Sequence, residues 1–267
     1  MDSPAQKQYL HRMKKHSRII CISRFLLLFL FLSLWEISAR TDMINAFIFS
    51  SPSRTLKSAS LLFREGNLLS HIGITLLKTL SSFLIVAIVS LFFASILWWN
   101  HNISEILDPY LVILNSLPKS AMAPIFIVWI GNNYKTIIIT AVSVAIFGSI
   151  LSLYSAFLHT DPDKIKLIYT LGGQKMHCFT KVVLPINLPS ILSIFKVDIG
   201  LCLIGVVIGE FLAAKKGLGY LIIYSSQTFK MDWVILSILL LCFIAIGIYL
   251  LLGCLEQKLN KKYKNIS

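Results

Sequence analysis

Acidic residues are scarce in this chain: 12 Asp and Glu stand against 25 Lys and Arg, a formal net charge of +13 over 267 residues. Long stretches lack charge of either sign, and 136–158 and 233–255 contain no Asp, Glu, Lys or Arg at all. A 56% hydrophobic share and a mean hydropathy of +0.77 exceed what a soluble interior holds, the usual apolar share being about 45–50%. The chain therefore reads as a membrane protein, and its excess of positive charge as the basic flanks of spans rather than a nucleic-acid surface. No G-x-x-x-x-G-K-[ST] occurs, which excludes a P-loop for ATP phosphates. H-E-x-x-H and G-x-S-x-G are also missing, and no Ser/His or paired-Asp arrangement speaks for an intramembrane enzyme. Cys21, Cys178, Cys202, Cys242 and Cys254 form no C-x-x-C and read as small apolar side chains.

What is present is a series of continuous apolar runs, which favours helices over the alternating strands of a barrel. Six spans are expected, near 19–35, 74–99, 110–131, 136–158, 188–213 and 233–255. The first follows a basic flank without a convincing small-x-small cleavage site, so it reads as a retained anchor. With the N-terminus inside, the inner segments hold more Lys and Arg than the outer ones. Lys7, Arg12, Lys14, Lys15 and Arg18, then Lys164, Lys166, Lys175 and Lys181, then Lys258, Lys261, Lys262 and Lys264 lie inside. Arg40, Arg54, Lys57, Arg64, Lys135, Lys215, Lys216 and Lys230 lie outside. This puts both termini in the cytoplasm. The fold class is an all-α membrane protein of about six transmembrane helices: a basic tail (1–18), a membrane domain (19–255) with a cytoplasmic loop between helices four and five (159–189), and a second basic tail (256–267).

That loop contains YTLGGQKMHCFTKVVLPINLPS (169–190). Asp161-Pro162 is a helix start, Asp as N-cap and Pro at the first helical position. Gly172-Gly173 ends the first short helix. A second is expected near Lys175 to Val183, stopped by Pro185, with Leu188-Pro189 opening the next span. About thirty residues of broken helix is far longer than an ordinary helix–helix connection of about 2–8 residues, so the loop reads as a docking element for a cytoplasmic partner.

Gly172, Val182, Leu184 and Pro185 match G-x9-I-x-L-P, with Val182 for the Ile, which resembles the cytoplasmic-loop signature of permease subunits of bacterial ABC importers. NSLPKSAMAPIFIVWIG (115–131), GEFLAAKKGLGYLI (209–222), SSPSRTL (50–56) and HIGITLLKTLSSF (71–83) resemble, in order, stretches of the nitrate/sulfonate/taurine-type permeases. Two departures stand out. Lys166, Leu167 and Ile168 replace the family's Glu-Ala-Ala, and Lys78 and Ser82 replace its second-span Arg and Gly. The resemblance implies a dimer of permeases around a central path and an ABC ATPase subunit docked on each cytoplasmic loop. It also implies an extracytoplasmic substrate-binding protein and a bacterial inner-membrane location. ATP and Mg would sit on the ATPase and no cofactor on this chain. The docking residues implied are Lys166, Gly172, Gly173, Lys175, Val182, Leu184 and Pro185. The rival readings are a stand-alone secondary transporter and a non-transporting membrane scaffold.

Polar groups inside spans are costly and call for a function. Lys119, after Pro118 in the third span, and Lys196, in the fifth, are candidates to face the path and attract an anionic solute; Lys196 could instead snorkel to the interface. Lys78 reads as snorkelling at the outer end of its span. Glu210 reads either as a gate or binding-protein contact, or as a solvated ion pair with Lys215 and Lys216. His71, His159 and His177 read as interfacial, and Trp35, Trp98, Trp99, Trp129 and Trp233 as an aromatic belt.

Overall fold

The computed structural model describes residues 4–65 and 67–264; the extremities of the two basic tails, 1–3 and 265–267, lie outside the described residues. Among the described residues the chain is helical throughout, without strands. Five helices among the described residues are long and apolar enough to cross a bilayer: Ile22–Arg40, within α1 (Pro4–Arg40); Asn67–Trp99 (α4); Tyr134–Leu158 (α7); Lys175–Ala213; and Met231–Cys254, within α12 (Met231–Lys264). α2 (Ala46–Phe49) and α3 (Pro52–Arg64) link the first two spans.

The third expected span, 110–131, is not a continuous helix. α5 (His101–Ser116) and α6 (Lys119–Ile130) meet at a bend of 93°. Leu117 is extended, at φ −62° and ψ 142°, because the following Pro118 excludes it from the helical region. A second difference lies at Pro185, which does not stop a helix. α8 (Pro162–Thr170) is followed by α9 (Lys175–Cys178), which runs through a π-helical turn (Phe179–Val183) directly into α10 (Leu184–Ala213). Leu184 N–H donates to the carbonyl of Phe179, five residues back, so the widened turn accommodates the Pro185 ring that a regular turn would exclude. The result is one rod of 39 residues, Lys175–Ala213. α11 (Leu218–Gln227) then folds back and leads into α12.

α4, α7 and α10 form the centre of the bundle. Their inner faces are small and hydroxylic: Thr75, Thr79, Ser82 and Ser90 of α4, and Thr136, Thr140, Ser143 and Ser149 of α7, are buried. Many large apolar side chains of α4, among them Leu77, Leu84, Ile88 and Phe92, point outward, while Val86 and Leu97 are buried. This inversion suits helices that pack against one another in lipid, where close backbone approach replaces apolar burial. Gly205 shows it best: a Cβ there would stand 2.5 Å from the Ala141 Cα of α7. α1 packs on α2 and α3, and its apolar side chains from Phe25 to Phe31 are exposed, as on a lipid-facing anchor.

Candidate functional site

The loop between the fourth span and the rod is an elbow. Asp161 caps α8, its Oδ1 accepting from Asp163 N–H at 2.9 Å. Gly172 ends that helix at φ +78°, a left-handed conformation costly for residues with a Cβ. Gly173 donates to the Ile168 carbonyl at 2.8 Å, and a Cβ on Gly173 would lie 2.7 Å from that oxygen. Gln174 N–H donates to His177 Nδ1 at 3.1 Å and squares the start of α9. Lys175 reaches back 2.6 Å to the Trp99 carbonyl, placing a cation at the C-terminus of α4.

Behind the elbow, Phe179 is held by Trp98, Trp99 and Phe157, with ring centroids 5.1, 6.1 and 5.7 Å away. Trp98 and Trp99 therefore pack the elbow as well as lying near a span end. Val182 and Val183 are buried and Leu184 and Pro185 partly so, while Leu167, Tyr169, Leu171 and Met176 are exposed. Of the residues picked from the sequence, Gly172 and Gly173 shape the elbow, Lys175 and Val182 fasten it to the bundle, and Leu184 and Pro185 begin α10. Lys166 is exposed on α8 beside Asp163, with Nζ and Oδ1 3.5 Å apart.

The in-span polar residues fall into separate clusters. At the end of the bundle opposite the elbow, Glu210 is 1% exposed and Lys78 is 3% exposed, and they form an ion pair at 2.8 Å. Lys78 thus does not snorkel, and Glu210 pairs with α4 rather than with Lys215 and Lys216 in solvent. The carboxylate also accepts from Thr75 Oγ1, at 3.0 and 3.1 Å to its two oxygens, and from Gly219 N–H at 2.9 Å. Thr75 in turn accepts from Leu218 N–H at 2.8 Å, and Lys78 donates to the Lys216 carbonyl at 3.2 Å. His71 Nδ1 accepts from Gly217 N–H at 3.0 Å. Gly217 and Gly219 are small because a Cβ on either would strike Glu210. The Gly-Leu-Gly turn into α11 is thereby stitched onto α4 and α10.

Lys119 folds onto its own helix break, bonding the Asn115 carbonyl and, at 3.2 Å, Asn115 Oδ1. Lys196 bonds Glu256 of α12, to which Ser193 also donates at 3.3 Å, and its Nζ lies 5.5 Å from the Tyr249 ring centroid. Lys196 therefore faces α12, and the grooves it lines there hold neither Lys119 nor Glu210. It lines an apolar groove of about 360 Å³ between α10 and α12, with Gly200, Leu203, Ala245 and Tyr249.

Sequence reading missed Asp198. It is 2% exposed, accepts from Ser149 Oγ at 2.6 Å, and Ser149 and Ser90 hydroxyls are 2.9 Å apart. The signal was an acid inside an apolar run two residues after Lys196, in a span already noted for that lysine. No group of three or more His, Cys, Asp or Glu among the described residues could hold a metal.

Residues 86–265 match the family described as the binding-protein-dependent transport system inner membrane component. The chain belongs to this family. It is similar to a probable ABC transporter permease protein of Haemophilus influenzae, 28% identical over 87% of this chain and 94% of that protein. It is also similar to the formylaminopyrimidine transport permease protein ThiX of Halalkalibacterium halodurans, 29% identical over 70% of this chain and 74% of that one. Among solved structures, an inward-facing form of the MetNI methionine ABC transporter aligns with TM-score 0.67 at 17% identity, covering 73% of this chain and 97% of the other, which is a likeness of fold. This permease is thus a multi-pass membrane subunit of an ABC importer and not an enzyme; ATP hydrolysis belongs to a separate subunit.

Proposed function

We propose that two copies of this permease enclose a path for a small solute and that the elbow at Gly172 is where each copy docks an ABC ATPase carrying ATP and Mg. The solute class is an anion or a heteroaromatic vitamin precursor; the likeness to a formylaminopyrimidine permease supports the second. Cargo arrives from an extracytoplasmic binding protein. The excess of Lys and Arg on the elbow side supports a cytoplasmic elbow and cytoplasmic termini, in a bacterial inner membrane. Lys166, Gly172, Gly173 and Lys175 belong to the docking loop, with Val182, Leu184 and Pro185 as its support. Pro118 and Lys119 contribute to the path at the α5–α6 bend, where a broken helix frees backbone groups.

One observation carries the docking assignment. Leu167 and Leu171 expose apolar surface outside the spans and Met176 exposes more on the first turn of the rod, on either side of a turn that only glycine adopts readily. ATP binding that draws two ATPases together would swing the elbow and, through the unbroken rod, tilt the bundle between inward- and outward-open states.

The test is purification in mild detergent with its ATPase, comparing wild type with Gly172→Val. Loss of the co-purifying ATPase from a normally inserted variant is expected. Undiminished association would refute the elbow's role. Absence of any ATPase from the folded wild type would favour a scaffold.

A further inference from the structure

The segment joining the first two spans is more apolar on its surface than a loop in water should be. Met43 is 79% exposed, Leu56 71% and Phe63 60%, and Phe47, Ile48 and Phe49 are also exposed, although none of them lies in a candidate span. α3 explains the pattern. At 100° per residue its surface divides into four strips, the last of them exposed Arg54 and Leu61. Thr55, Ser58 and Leu62 face the protein and are buried. Leu56 and Phe63 form an exposed apolar strip beside them. Lys57, Ser60 and Arg64 form the next strip, exposed and without an acid in it.

The neighbouring acids are committed elsewhere or lie off this strip. Glu36 accepts from Arg40 at 2.7 Å and from Ser53 Oγ at 2.7 Å; Asp232 accepts from Arg54 at 3.2 Å and Ser50 at 2.6 Å. Asp42 lies before α2, and Glu65, exposed at the end of α3, is about 80° around the helix from Lys57 and about 100° from Arg64. In the same segment, α1, α2 and the turn between them wall an open groove of about 540 Å³ with Phe31, Leu34, Trp35, Ile44 and Phe49.

We propose that α2 and α3 form a phospholipid-binding site in the membrane interface. An acyl chain lies along Leu56, Phe63 and the α1–α2 groove, and Lys57 and Arg64 hold the headgroup phosphate. An apolar strip adjoining a basic strip is the arrangement that seats a helix in the plane of a bilayer surface. The tether supplies the position: α1 ends at Arg40 and α4 begins at Asn67, so both ends of the segment are fixed at the mouth of a span. A water-soluble protein partner would match the cations but leave the lipid-like groove unexplained.

The test uses the full chain in vesicles. An environment-sensitive fluorophore goes on Leu56→Cys and, separately, Phe63→Cys, with the native cysteines replaced. Brominated acyl chains are expected to quench both positions and aqueous iodide to spare them. In parallel, native mass spectrometry of the chain with its own cysteines reads retained phosphatidylglycerol against phosphatidylcholine. Lys57→Gln and Arg64→Gln should each lower the preference for the anionic lipid roughly fivefold, about 1 kcal/mol per charge. Iodide quenching without bromine quenching would overturn the proposal. So would shielding that appears only when a soluble binding protein is added, which would make the strip a protein interface. Bromine quenching with an unchanged lipid preference in both Gln variants would overturn the headgroup assignment.

Discussion

Replacing Lys78 by Met should damage this permease more than replacing Lys78 and Glu210 together. At 2.8 Å and an effective dielectric near 20, the gross attraction of the pair is about 6 kcal/mol. Desolvation consumes most of it, which is why exchanging a whole buried pair for apolar residues is often neutral. Removing only one partner leaves the other charge stranded, at a cost of about 3–5 kcal/mol. Here the stranded Glu210 would keep only Thr75 and the Gly219 N–H as donors. A membrane setting reduces the figure, because the unfolded reference also lies in lipid and can find partners; couplings between hydrogen-bonded groups there average about 0.6 kcal/mol. Full charges exceed neutral pairs, so we expect about 3 kcal/mol for Lys78→Met or Glu210→Met and a smaller loss for the double variant. Denaturant-induced unfolding in mixed micelles, read as a double-mutant cycle, measures this directly. Single losses that simply add in the double variant would refute the reasoning and leave the pair as neighbours without coupling.

Three further outcomes follow from the packing. Gly205→Ala should cost about 1–3 kcal/mol by forcing α10 off Ala141, whereas Gly247→Ala, where an added Cβ meets open space, should change the melting temperature little. Asp198→Asn retains an acceptor for the Ser149 hydroxyl and should keep the fold, while Asp198→Ala leaves that buried hydroxyl only Ser90 to bond and should lower stability by about 0.5–1.5 kcal/mol in the same unfolding assay. Glu256, beyond the last span, is held below the ordinary glutamate range by its hydrogen bond from Lys196. A depressed carboxyl contributes stability above its unfolded value and loses it as pH falls through the lowered one. Proteolysis of the α12 C-terminus should therefore accelerate only in acid below the usual glutamate range, and Glu256→Gln should show the accelerated rate already at neutral pH.

The spans were legible because hydropathy acts residue by residue, and 136–158 fell within two residues of Tyr134–Leu158 at its start. The elbow was legible for a similar reason, since Asp161-Pro162 and Gly172-Gly173 carry their backbone preferences with them. Pro185 and Pro118 show the limit. Pro185 was read as a helix stop and Pro118 as a residue within the third span. Pro185 is absorbed by a π turn whose extra residue is set by the packing of Phe179 and Val183, while Pro118 turns the chain through 93°. Partner choice was illegible. Lys78 and Glu210 are 132 residues apart, and nothing in either neighbourhood says that Gly217 and Gly219 leave room for their meeting. The same holds for Lys196, whose partner Glu256 was counted with a tail.

One helix joins the two ends of the bundle. The rod Lys175–Ala213 spans about 58 Å at 1.5 Å per residue. Its first turn carries the elbow, and its last turn carries Glu210 and, through it, the turn into α11. A tilt of the rod at the elbow must therefore appear at α11, unless the π turn absorbs it by shifting register. The two possibilities separate under restraint. A disulfide that locks α9 to the end of α4, where Lys175 meets the Trp99 carbonyl, would hold the elbow still. If the rod is rigid, the lock arrests motion at α11 and uptake together. If the π turn is compliant, α11 still moves while the ATPase is uncoupled. Distance measurements from α11 to α4, with and without ATP and with the lock closed, would distinguish a lever from a hinge.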